Sequence, residues 1–239
     1  MDLSIVIPVF NEEQKIAQDI HFALNFFERQ KLQGEVVVVD DGSSDNTATI
    51  VQGFADDFPG KMKLISYHPN KGKGFAVKEG ILEATGELIL FADSGSCVPF
   101  DDALKGTHLI TNESFDIAHG SRFLSKSKIV IPRKWYRSLF SFLFRKFISI
   151  YSRIPGRLTD TQCGFKLYKK EVAHKLYKKC KTRGFMFDIE IILLARKYGF
   201  TICEFPIEWT TDYDSRIQLS KTFFRMIREL TEINRIYKN

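Results

Sequence analysis

The chain has 239 residues, 44% of them hydrophobic, and 35 Lys/Arg against 29 Asp/Glu give it a formal charge of +6. Such a chain suits one globular domain and excludes a disordered or low-complexity protein. No uncharged apolar run reaches the roughly 18 residues of a membrane-spanning helix, and Met1 leads straight into apolar residues without a basic leader, so neither a span nor a signal peptide is expected.

Residues 3–9 are a near-continuous apolar run and predict a buried strand, and residues 12–30 follow with helical periodicity. Residues 35–39 predict a second strand, residues 47–58 a helix, residues 63–67 a third strand, residues 74–85 a helix and residues 87–92 a fourth strand. This βαβαβαβ order, with β-branched strands apolar on both faces, predicts an α/β domain with a mostly parallel sheet covered by helices. Further on, residues 115–120, 164–168 and 201–207 read as strands, and residues 134–153, 185–198 and 219–237 as helices. No linker or repeat divides the chain, which is therefore read as one domain. The four cysteines, Cys97, Cys163, Cys180 and Cys203, form no CxxC pair and read as reduced thiols of a cytosolic protein.

In such sheets ligands bind beyond the carboxyl ends of the strands. Polar clusters fall at all four of the first strand ends: Asn11-Glu12-Glu13, Asp40-Asp41-Gly42-Ser43-Ser44-Asp45-Asn46, Asn70-Lys71-Gly72-Lys73-Gly74 and Asp93-Ser94-Gly95-Ser96. The second could be a polar turn with Ser44 or Asp45 capping a helix, or a pair of carboxylates accepting from a base N–H or ribose hydroxyls. In the third, glycines allow close backbone approach, and a lysine at a helix start favours an anion. Gly120-Ser121-Arg122 adds an arginine able to grip phosphate through two parallel hydrogen bonds.

In this order the segments resemble glycosyltransferase family 2, which has the Rossmann-like GT-A fold. Asp160-Thr161-Gln162-Cys163-Gly164-Phe165-Lys166 and Gly184-Phe185-Met186-Phe187-Asp188-Ile189-Glu190 resemble the family's dolichyl- and polyprenyl-phosphate glucosyltransferases, and the resemblance runs from Ile5 to about Arg216. It implies that Pro8, Phe10 and Glu12 line the base and ribose pocket, that Asp40 or Asp41 reads the base, and that Lys73 belongs to the nucleotide site. Asp93 matches the first carboxylate of the family's Asp-x-Asp, which holds Mg or Mn against the diphosphate; Gly95 stands where the second is expected. Arg122, Gln162, Lys166 and Glu190 are implied at the acceptor phosphate, and Asp188 beside the reacting groups, with Glu190 second to it. Arg216, in Asp214-Ser215-Arg216, is implied to cover the diphosphate. Asp93, Asp188, Arg122 and Arg216 form the expected catalytic set.

The expected organisation is a single GT-A domain over residues 1–239, with a nucleotide-binding half at 1–96 and an acceptor- and membrane-facing half, amphipathic and helical, at 97–239. The expected reaction is inverting transfer of a sugar, with glucose from UDP-glucose the leading donor, onto a polyprenyl or dolichyl phosphate. Two alternatives stand beside it: transfer to a glycan or glycolipid hydroxyl, or a non-catalytic nucleotide-sugar-binding subunit, to which Gly95 points.

Charge locates the membrane. Between Arg122 and Arg157 there are ten Lys/Arg and no Asp/Glu, leaving the rest of the chain near −4 (25 against 29). On a helix of about 100° per residue, residues 134–153 place their Lys, Arg and Ser on one half and most of their aromatic and aliphatic side chains on the other, which suits a membrane interface. The segment 133–153 is thus the expected contact with the inner face of a membrane, for a cytoplasmic, peripherally bound protein to which a membrane-protein partner could add. No nucleic-acid-binding motif accompanies the charge.

Overall fold

The computed structural model describes residues 1–131, 151, 158–210 and 219–237. The predicted helix at 134–153, apart from residue 151, and the Arg216 segment lie outside these residues.

The alternating first half folds as its pattern requires. The strands are β1 (Leu3–Val9), β2 (Gly34–Asp40), β3 (Met62–Ser66) and β4 (Leu88–Ala92), and between them run α1 (Ile16–Gln30), α2 (Thr47–Asp57) and α3 (Lys73–Glu83). A short 3₁₀ turn, Phe100–Asp102, leads into α4 (Ala103–Asn112). Then come β5 (Ile117–Ser121), β6 (Lys128–Ile131), β7 (Phe165–Lys169), α5 (Lys170–Lys179), α6 (Phe187–Lys197), β8 (Ile202–Pro206), β9 (Glu208–Thr210) and α7 (Leu219–Tyr237). The helices α4 and α5 and the strands β6 and β9 are not foreseen in the sequence reading.

Among the described residues the main sheet has seven strands in the order β3-β2-β1-β4-β7-β5-β8, and β6 and β9 pair separately. All pairings in the main sheet are parallel except those of β7, which runs antiparallel between β4 and β5. Alternate side chains serve two cores. Ile5, Ile7 and Val9 join Ile16, Ile20 and Phe26 of α1 on one face, and Val6, Val37 and Val39 join Ala76, Val77 and Ile81 of α3 on the other. This burial on both faces explains why the strands read as continuous apolar runs. A third cluster, Met186, Ile189, Ile192, Leu230 and Ile233, packs α7 against α6.

The topology also fixes the site. The carboxyl ends of β1, β2, β3 and β4 share one edge, and because β7 is antiparallel its amino end, beginning at Phe165 beside Ala92, lies on that same edge.

Candidate functional site

The strand-end clusters are joined by direct contacts. Asn11, in a left-handed conformation with φ 57°, receives the Ser44 N–H on its side-chain oxygen at 2.8 Å and donates its own N–H to Ser43 Oγ at 2.8 Å. The Glu12 N–H donates to Thr47 Oγ1 at 2.8 Å, and Glu13 accepts the Asn46 N–H at 3.0 Å. The loops after β1 and β2 therefore form one unit. Pro8 is buried in β1, Phe10 stands 46% exposed on the rim, and Glu12 lies 3.9 Å from Lys15.

Asp40 and Asp41 are both buried, and their carboxylates are engaged within the protein. Asp40 accepts from the Ser43 N–H and the Ser66 hydroxyl. Asp41 accepts the Lys71 N–H at 2.8 Å and the Gly72 N–H at 2.9 Å. Asp41 thus holds the loop that delivers Lys73, the first residue of α3. Gly72, with φ 104°, turns the chain into the helix.

Lys73 Nζ reaches Asp93 Oδ1 at 2.6 Å. Burial alone would lower the pKa of the Lys73 ammonium, but the Asp93 carboxylate, helped by Asp188, raises it above its ordinary value. Asp93 itself donates its N–H to the Gly164 carbonyl, and a side chain at Gly164 would collide with the Asp93 carboxylate. The start of β7 is therefore shaped around Asp93.

Two further ion pairs complete a charged layer. Lys166, 1% exposed, donates to the Asp188 carboxylate and to the Thr161 carbonyl at 3.0 Å. Burial raises the pKa of Asp188, and the Lys166 and Lys73 ammoniums only partly counter it. Arg122 forms a bidentate pair with Asp160, Nε to Oδ2 at 2.7 Å and Nη2 to Oδ1 at 2.9 Å, and its guanidinium carbon lies 5.5 Å from the centre of the Trp209 ring. Burial opposes the charge on Arg122, but Asp160 holds its pKa above the ordinary arginine value. Gln162 approaches the Met186 sulfur at 3.9 Å. Lys73, Asp93, Lys166, Asp188, Arg122 and Asp160 thus gather at one edge, three cations against three anions. Glu190, two residues after Asp188, points elsewhere, towards residues 180–182 and Tyr237.

Two contributors carry no role in the sequence reading. Asp160, inside a quoted motif, has no exposed surface and is the partner of Arg122. Asp19, 2% exposed on α1, binds the Gly95 N–H at 2.8 Å and the Ser96 hydroxyl. It anchors the turn after Asp93 in its left-handed conformation, with φ 89° at Gly95 and 48° at Ser96. Its sequence signal is an acidic residue on the buried stripe of Ile16, Ile20, Ala23 and Phe27.

Among the described residues no group of three or more His, Cys, Asp or Glu gathers to hold a metal. One carboxylate, Asp93, stands at the mouth of the layer, 34% exposed in its side chain. That matches the way Mg or Mn is bound beside a phosphate ligand, through one or two carboxylates, phosphate oxygens and water.

The family model for Glycosyl transferase family 2 matches residues 4–177. A dolichyl-phosphate beta-glucosyltransferase of Dictyostelium discoideum is 30% identical over 241 residues, spanning 97% of this chain and 73% of that protein. One from Saccharomyces cerevisiae is 32% identical over 252 residues, spanning 98% and 75%. Among solved structures, glucosyl-3-phosphoglycerate synthase of Mycobacterium tuberculosis, in complex with Mn2+, UDP-glucose and phosphoglyceric acid, superposes with a TM-score of 0.69 at 16% identity, covering 97% of this chain and 79% of that one.

Proposed function

This chain belongs to glycosyl transferase family 2 and is a glycosyltransferase, and we propose that it transfers glucose from UDP-glucose to a dolichyl or polyprenyl phosphate at a membrane surface. The observation that carries the reading is the continuous charged layer from Lys73–Asp93 to Arg122–Asp160, joining a nucleotide-binding edge to an arginine suited to a phosphate acceptor. The names of the sequence relatives support the choice of donor sugar and lipid.

The chemistry asks for positioning more than for a base. A phosphate monoester, with its second pKa about 6, is already ionised at neutral pH. Its oxygen attacks the anomeric carbon, the bond to the nucleoside diphosphate breaks, and a single displacement inverts that centre. Lys73 holds the diphosphate of the bound donor from the start of α3, where helix N–H groups add to the attraction. Arg122 receives the acceptor phosphate: Asp160 takes two of its five N–H donors and fixes the guanidinium plane. Lys166, locked by Asp188, sets the charge behind the reacting groups. Asp93 would hold the divalent metal, which when bound acts as a Lewis acid towards the leaving diphosphate. Pro8, Phe10 and Glu12 shape the rim of the nucleotide pocket, while Asp40 and Asp41 hold its loops. Residues 133–153 would rest on the inner face of the membrane and Arg216 would cover the diphosphate.

The test is a donor screen with the purified chain, a short polyprenyl phosphate and Mg or Mn. UDP release and a β-linked glucosyl lipid are expected from UDP-glucose, and chelation of the metal should abolish both. Failure of every common UDP- and GDP-sugar would reject the reading. A hydroxyl acceptor is the second reading, favoured by the burial-raised pKa of Asp188, a property of general bases. It requires a rate that follows ionisation of a carboxyl group on the right acceptor, which a pH–rate profile detects.

A further inference from the structure

Glu190 has no exposed surface, and its carboxylate is filled by four donors. It accepts the N–H groups of Lys181 at 3.0 Å and Thr182 at 2.7 Å, the thiol of Cys180 at 3.3 Å and the hydroxyl of Tyr237 at 2.7 Å. A carboxylate offers about four lone-pair sites. None remains for a substrate hydroxyl, and an ionised carboxylate does not attract a phosphate.

The loop that Glu190 holds is the seat of α3. The Phe75 N–H donates to the Arg183 carbonyl at 3.1 Å, and Lys78 Nζ donates to the Cys180 carbonyl at 2.9 Å. Gly74 lies so close that a Cβ there would fall 2.7 Å from the Gly184 carbonyl oxygen and 2.8 Å from that of Thr182; one at Gly72 would fall 2.5 Å from the Arg183 oxygen. From the opposite side Asp41 grips the Lys71 and Gly72 N–H groups. The first turn of α3 is therefore clamped between Asp41 and the 180–184 loop, and Lys73 leaves that clamp to meet Asp93. The clamp continues into α7, where Glu229 accepts the Met186 N–H at 3.1 Å and Tyr237 closes on Glu190.

We propose that Glu190 is a positioning residue for donor binding: through the 180–184 loop it sets where Lys73 meets Asp93, and Tyr237 latches the C-terminal helix to the same carboxylate. The proposal rests on the reading of Lys73 as a ligand of the donor diphosphate. It differs from a role at the acceptor in what Gln does at this position. Glu190→Gln keeps an oxygen for the loop N–H groups and an NH2 that can donate to the Tyr237 oxygen, whereas Glu190→Ala keeps neither.

Three variants of the full chain, Glu190→Ala, Glu190→Gln and Tyr237→Phe, decide it, each measured for UDP affinity by calorimetry and for steady-state kinetics with UDP-glucose and a short polyprenyl phosphate. Losing charge-assisted hydrogen bonds should weaken UDP and raise the donor KM about tenfold or more in Glu190→Ala. The acceptor KM and kcat should stay within about threefold, because the interaction lost acts on ground state and transition state alike. Glu190→Gln should recover most of the donor affinity, and Tyr237→Phe should raise the donor KM by a smaller factor. If Glu190→Ala does not fold, Tyr237→Phe, which removes one hydroxyl from a half-buried residue, decides by the same donor KM. The proposal is overturned if Gln is as damaging as Ala with the loss in kcat, or if all folded variants leave the donor KM unmoved while the wild type turns over. A wild type that neither binds UDP nor uses UDP-glucose overturns the donor reading, and this proposal with it.

Discussion

Asp160 shows how much a single buried residue carries. It has no exposed surface, and its two oxygens take the Nε and Nη2 donors of Arg122, with the Arg122 N–H at 3.2 Å. Replacing one member of a buried pair leaves the other charge without its counterion, at a cost of about 3–5 kcal/mol. Asp160→Asn should therefore lower the urea unfolding free energy by about that amount, far more than Arg29→Ala, which breaks a solvent-exposed pair that screening leaves of little consequence for stability. Equal effects of the two variants would show that the Arg122 charge is not buried in solution. Glu35 gives the acid limb. Burial would raise its pKa, but the Ser4 hydroxyl at 2.6 Å and the Thr85 hydroxyl and N–H outweigh burial and bring it below the ordinary 4.5. A carboxyl with a depressed folded pKa stabilises the fold above the unfolded value, and this stability is lost as pH falls through the folded value. Between pH 4.5 and its folded pKa the wild type should therefore lose stability more steeply than Glu35→Gln, as measured by urea titrations across that range; parallel curves would remove Glu35 from the account.

At the scale of elements, β7 does the most for the site and was the hardest to read. Periodicity locates it within one residue but says nothing about its direction, and its antiparallel insertion between β4 and β5 is what brings Gly164 and Lys166 to the ligand edge. Gly164→Ala should push the Asp93 carboxylate off Lys73. Because a displacement of about 1 Å costs roughly a hundredfold in rate, kcat should fall by about that factor while Tm moves little; a fully active variant would mean that Asp93 need not stand where it does. The parallel strands were legible because β-branched runs buried on both faces leave few alternatives. By contrast, α5 follows β7 with no turn or capping residue between Lys169 and Lys170, so nothing in the sequence marks its start. The interior of α4 carries Gly106, a poor helix former placed there because Phe205 packs where its Cβ would be. In the site, the strand-end clusters were legible from their position, whereas the partners of Arg122 and Ser96 were not, since Asp160 and Asp19 meet them only across the fold.

At the scale of the whole molecule, β1 lies between β2 and β4, so the chain leaves it in opposite directions and opens a crevice at the shared carboxyl edge. Between Arg122 and Arg157 the sequence carries ten Lys/Arg and no Asp/Glu. No described helix is long and apolar enough to cross a membrane; in the proposed function the basic segment supplies electrostatic attraction to a lipid surface. Each basic residue near an anionic leaflet contributes about 1 kcal/mol, and the Debye length shrinks from about 30 Å at 0.01 M salt to about 3 Å at 1 M. In sedimentation assays the protein should bind vesicles containing anionic lipid, release them as salt rises across that range, and bind zwitterionic vesicles much less. Replacing Lys134, Arg137, Arg145 and Lys146 with Gln should weaken vesicle binding while leaving UDP affinity unchanged, because the nucleotide edge is built from the ends of β1 to β4. Binding that ignores both salt and lipid charge would mean that apolar insertion, not the basic segment, holds the protein at the bilayer.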